Sequence, residues 1–132
     1  MTNLPVRATL LLVCLAVVGC HPSPPSLVGT YSADNKGQRV EFLRIEQKDG
    51  KFLSSEKKPN GWSNPVEVEP VSKDDLNKLF ARTAGNDVVA LGTNQAALCK
   101  VPKGWKAGNF ECKTGYVFLS LFGAVELHKD GE

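Results

Sequence analysis

Charge is nearly balanced in this chain, with sixteen basic and fourteen acidic residues and a formal net charge of +2. A nucleic-acid-binding face needs a basic excess, so nucleic acid is not expected as a partner. Histidine is scarce: His21 and His128 are the whole complement. No G-x-S-x-G serine, phosphate loop, calcium loop or cluster of metal-ligating residues occurs, so no metal, no cofactor and no catalytic set are expected. No apolar run reaches the roughly 20 residues that a helix needs to cross a bilayer. Of the four cysteines, Cys99 and Cys112 have no histidines near enough to fill a tetrahedral zinc shell with them.

What is present is concentrated first at the N-terminus. A single positive charge, Arg7, precedes the apolar stretch Ala8 to Val18, which stops at Val17-Val18-Gly19-Cys20 and gives way to His21-Pro22-Ser23-Pro24-Pro25-Ser26. A charged start, a short apolar core and a small-residue cleavage site read as an export signal. The last four residues of the stretch resemble the lipobox of bacterial lipoproteins. The resemblance implies cleavage after residue 19 and lipid attachment at Cys20. It also implies a cell-envelope location, with the bilayer as one partner. His21 in place of an aspartate favours the outer membrane, facing the periplasm. Two or three acyl chains, at about 0.8 kcal/mol for each buried methylene, would hold the protein stably without any other membrane segment. Residues 20–26 then read as a lipidated cysteine followed by a stiff, extended spacer. Residues 27–132 read as one small domain.

On this reading Cys14 leaves with the signal and Cys20 takes the lipid, which leaves Cys99 and Cys112 as a pair. An oxidising compartment favours a disulfide between them, worth about 3 kcal/mol in the chain-entropy account. Fifteen basic and fourteen acidic residues remain once Arg7 is removed.

The domain reads as mainly β, a small antiparallel sandwich or barrel with one helix at about 72–82. Leu27 to Tyr31 opens as a strand, followed by turn residues Asp34 to Gly37. Arg39 to Lys48 continues, with the alternation slipping between Phe42 and Leu43, which predicts a bulge or a strand covered on both faces. Asp49-Gly50 predicts a two-residue hairpin turn into Lys51 to Glu56. Val66 to Val71 reads as an edge strand, because Pro65 precedes it and Pro70 lies within it. Ser72 is positioned to cap the helix, Asp74 and Asp75 load its first turn, and Leu76, Leu79 and Phe80 share one face. Gly85-Asn86 is the expected breaker. Asp87 to Leu91, Gln95 to Val101, Phe110 to Lys113, Tyr116 to Phe122 and Ala124 to His128 complete the strands. Tyr116 to Phe122 is apolar on both faces and reads as central.

Two segments spell K-x-P-x-G-W: Lys57 to Trp62 and Lys100 to Trp105. Each follows a strand-turn-strand unit, which suggests a duplicated β-β-loop-β unit with the helix inserted between the copies. Val101 to Asn109, framed by Cys99 and Cys112, is the expected partner-binding loop, since a clamped loop loses less entropy on binding. Lys103, Trp105 and Lys106 would project from it, joined by Lys57, Lys58 and Trp62 if the repeat brings the two motifs together. Glu67/Glu69 and a serine with His128 and Glu126 or Asp130 are the weaker catalytic arrangements.

In layout the chain is similar to small periplasmic lysozyme inhibitors and immunity lipoproteins. That likeness implies a non-catalytic, membrane-anchored protein that binds a protein partner in the periplasm. An envelope-assembly role is the alternative. So is a small-ligand-binding β-barrel, because Gly29-Thr30-Tyr31 resembles the first strand of lipocalin-like barrels.

Overall fold

The computed structural model describes residues 23–80, 87–93 and 95–132; the signal stretch, Cys14, Cys20, His21 and Gly85-Asn86 lie outside them. In chain order come a 3-10 turn, Pro24–Leu27, then β1 (Gly29–Asn35), β2 (Gln38–Lys48), β3 (Lys51–Lys58), β4 (Gly61–Trp62) and β5 (Val66–Pro70). Helix α1 (Lys73–Phe80) follows, then β6 (Val89–Gly92), β7 (Ala96–Lys100), β8 (Trp105–Ala107), β9 (Phe110–Cys112), β10 (Tyr116–Ser120) and β11 (Gly123–Lys129). Strands β1, β2, β3, β5, β6, β7, β10 and β11 pair antiparallel in that order, and β11 returns to β1. The result is an eight-stranded closed barrel in which neighbours in space are neighbours in sequence. The β4 segment folds back on β3, and β8 and β9 form a separate hairpin.

Local chemistry places the turns where the residue types ask for them. Lys36 and Asp49 hold left-handed φ values of 52° and 53°, each followed by a glycine, in the turns from β1 to β2 and from β2 to β3. The alternation slip in β2 is a bulge: Tyr31 opposes Leu43 and Ser32 opposes Glu41, which leaves Phe42 as the extra residue. Phe42 meets Phe118 edge-on at 5.5 Å. The helix is capped as expected, with the Asp75 amide donating to Ser72 Oγ at 3.2 Å.

Two apolar clusters share the barrel wall. The interior holds Leu27, Tyr31, Leu43, Ile45, Leu91, Leu98, Tyr116 and Leu127. On the outside, Cys99, Val117 and Leu119 are covered by Leu76 of α1 and by Cys112 of the β8–β9 hairpin, with Leu79, Phe80 and Trp105 packed against them. This double cover explains why Tyr116 to Leu119 is apolar on both faces.

Several expectations are corrected. Residues 24–26 are not extended spacer, because Pro24 and Pro25 open a 3-10 turn that their fixed φ suits. That turn belongs to the barrel. Val66–Pro70 is no edge, since closure seats it between β3 and β6; Pro65 lies outside the strand, and Pro70 is its last residue, opposite Leu91. Tyr116 to Phe122 stops at Ser120, and Leu121 and Phe122 form the hairpin tip instead.

Candidate functional site

The barrel has two unlike ends. One receives the chain from Ser23 and is plugged: Tyr31 is fully buried and its hydroxyl donates to the Leu27 carbonyl at 2.7 Å. Tyr116 packs edge-on against Tyr31 at 5.3 Å and donates its hydroxyl to Glu132 Oε2 at 2.8 Å. The Lys129 ammonium donates to the Ser26 carbonyl at 2.9 Å, and it and Lys100 Nζ lie 5.8 and 5.6 Å from the Tyr116 ring. Burial pushes both tyrosine hydroxyls well above their ordinary range.

The other end is open. Between β2, β3, β5, β6, β7 and β10 lies a cavity of about 470 Å³. Its wall is Leu43, Ile45, Val68, Leu91, Leu98 and Phe118, and its polar lining is Ser54, Glu56, Ser63, Asn64 and Thr93. The cavity exists because β3 changes character along its inward face, from Phe52 at the plugged end to Ser54 and Glu56 at the mouth. Gly92 helps shape the rim, for a Cβ there would sit 2.2 Å from the Ala96 carbonyl oxygen. A volume of this size lies within the ~300–1,000 Å³ of ordinary small-molecule pockets.

Exposed large apolar side chains gather around the same mouth. Phe122 is 101% exposed and Leu121 77%, both at the β10–β11 tip; Val66 is 61% exposed, and Val40 and Val125 are also on the surface. A tip of two large apolar residues contradicts local turn chemistry, and such conflicts concentrate at functional positions.

The residues singled out in the sequence are distributed differently. β3 ends at the open end and β7 at the plugged end, so the two K-x-P-x-G-W motifs sit at opposite ends of the barrel. Lys57, Lys58 and Trp62 therefore do not share a surface with Lys103, Trp105 and Lys106. Trp62 pairs with Lys57 on the outer wall, with Arg44 Cζ 4.6 Å and Lys57 Nζ 5.1 Å from its ring centre. Lys58 pairs with Glu56 at 3.0 Å. Trp105 folds back on the outer cluster, 5.0 Å from the Phe80 ring, rather than projecting as an anchor. Lys106 is exposed on the hairpin, and Lys103 lines a small cleft of about 150 Å³ beside Tyr116 and Lys129. The Val101 to Asn109 segment is largely strand β8 and its turns, not an open loop.

Cys99 and Cys112 are both fully buried in the outer cluster, and in this structure the two are free thiols. Burial, with the Cys112 thiol adding to it, pushes Cys99 up to about 12, which makes it a poor nucleophile. The Cys112 thiol donates to the Tyr116 carbonyl at 3.3 Å. His128 Nε2 lies 3.1 Å from Asp34 Oδ2 on the outer wall, and Ser32, its register partner, donates to Asp130 Oδ1 rather than to the imidazole. Glu67 pairs with Lys51 at 3.6 Å. Among the described residues no group of three or more His, Cys, Asp or Glu could hold a metal ion, and no helix is long and apolar enough to cross a membrane.

Comparison with family models, with curated proteins and with solved structures returned no match. Sequence reasoning missed Ser54, Glu56, Leu121 and Phe122. The signal for the first two was the polar turn of the inward set Phe52, Ser54, Glu56; for the others it was two large apolar residues directly before Gly123.

Proposed function

We propose that this protein is a non-catalytic binding protein whose barrel takes a small, largely apolar molecule through its open end. The observation that carries this reading is the 470 Å³ cavity, apolar in its wall and polar along one arc of its rim. Apolar lining supplies affinity, and a few convergent polar groups supply orientation. The lipobox reading complements it. A chain tethered through acylated Cys20 enters the fold at the plugged end, so the mouth faces away from the outer membrane and into the periplasm. Oxidation of Cys99 and Cys112 there would fasten the β8–β9 hairpin to the barrel wall.

A protein partner, an enzyme to be inhibited or an envelope assembly among them, is the second reading. The specific observation favouring it is the Leu121-Phe122 tip, since exposed apolar side chains beside a concave surface are frequent interface anchors. That moves the interface from Val101 to Asn109 to the mouth.

The test is a titration of the domain from residue 20 onward with an environment-sensitive apolar dye, followed by displacement with decanol. One saturable site emptied by decanol supports the cavity reading. A dye signal that decanol leaves unchanged, together with capture of a stoichiometric protein lost on Phe122→Ser, transfers the function to the tip.

A further inference from the structure

The charge around the cavity narrows what it accepts, and this step rests on the cavity being a binding site. Among the described lining residues, Glu56 is the only one that carries a formal charge. It faces inward, because it stands opposite Leu43 in the β2–β3 register and Leu43 belongs to the interior cluster. Its backbone is held at the mouth by Ser63: the Glu56 amide donates to Ser63 Oγ at 2.9 Å, and the Ser63 amide donates to the Glu56 carbonyl at 2.8 Å. Ser54, Ser63, Asn64 and Thr93 occupy the same arc of the lining, from β3 to the β6–β7 turn. The opposite arc of the rim, Val125 and the Leu121-Phe122 tip, is apolar. The mouth is thus amphipathic, with one polar side that offers oxygen acceptors and a carboxylate.

We propose that the cavity selects single-chain amphiphiles with an uncharged or cationic head and disfavours anionic ones, Glu56 being the discriminating residue. The apolar chain lies against Leu91, Leu98 and Phe118, and the head group lies beside Ser54 and Glu56. A carboxylate or phosphate head would meet the Glu56 carboxylate with no lysine or arginine in the lining to receive it. A hydroxyl or amine head donates to Glu56 and the seryl oxygens. Lys58, two residues on along β3 and so on the same side of the strand as Glu56, donates to Glu56 Oε2 at 3.0 Å and offsets part of the field, so the discrimination is moderate.

Three probes of equal chain length separate the possibilities: decylamine, decanol and decanoate, each titrated by calorimetry at neutral pH against wild type and Glu56→Gln. The expected order in the wild type is decylamine at least equal to decanol, with decanoate weaker by about fivefold. Glu56→Gln should bring decanoate to within about twofold of decanol and weaken decylamine. Ser54→Trp, which fills the mouth, should weaken all three alike, and thermal melting of each variant confirms that it is folded. Decanoate binding as tightly as decanol, or a decanoate deficit that survives in Glu56→Gln, overturns the selectivity while leaving the cavity reading intact. Failure of all three probes to bind overturns both.

Discussion

The two ends of one barrel have been finished in opposite ways. At the plugged end the interior is filled by long side chains whose polar tips find partners: Tyr31 on the Leu27 carbonyl, Tyr116 on Glu132, Lys129 on the Ser26 carbonyl. At the mouth inward positions shrink to Ser54 and Ala96, and two large apolar residues, Leu121 and Phe122, stand exposed at the β10–β11 tip. Packing is spent on stability at one end and withheld at the other. A cavity is the result, and the contrast says which substitutions should cost stability and which should change binding.

The largest effect belongs to the plug. Tyr31→Ala removes a fully buried ring, its edge contact with Tyr116 and the donor to Leu27, and should destabilise by about 3–5 kcal/mol in denaturant unfolding. Tyr31→Phe, which only leaves the carbonyl unpaired, should cost about 1–2 kcal/mol. If Tyr31→Ala costs no more than a surface change, the plugged end is not the stable one. The outer cover comes next: Trp105→Ala should cost about 2 kcal/mol, because the half-buried indole packs on Phe80 and the barrel wall. A partner-binding loss without a stability loss would instead restore the projecting-loop reading.

Alkaline pH should strike the same regions. In the reduced protein Cys99 is held protonated to about 12, from an ordinary 9.0, and Tyr31 and Tyr116 are raised from 10.0. The unfolded chain ionises these groups first. Their contribution is therefore complete below about pH 9 and is lost as pH rises from there through the folded values. Since the sequence holds only two tyrosines, tyrosinate absorbance should rise together with loss of the β circular-dichroism signal. Tyrosinate forming well before unfolding would show that the plug is loose. The smallest stability effect is expected at the mouth, where Phe122→Ser should change the unfolding free energy by less than about 0.5 kcal/mol.

Much of the fold was legible in the residues because its signals are local. The Asp49-Gly50 turn, the slip at Phe42-Leu43, the Ser72 cap and the doubly apolar Tyr116 to Leu119 stretch each act within a few positions. Closure was not legible, because it depends on β11 reaching β1 and on β5 bridging β3 and β6, pairings that no local pattern encodes. The edge reading of Val66–Pro70 failed for that reason. Chain direction misled the repeat: an odd number of reversals in the barrel separates β3 from β7, which sends two similar motifs to opposite ends. Leu121-Phe122 read as strand because apolarity was taken as burial, whereas this pair is exposed at the rim.

The central claim is that the open end holds a ligand and the plugged end holds the fold. Ser54→Trp tests it most directly, by calorimetric titration of wild type and variant with decanol. The account predicts one site per chain in the wild type, at least tenfold weaker binding in Ser54→Trp, and thermal stability unchanged within a few degrees. Equal decanol binding by both proteins would contradict it.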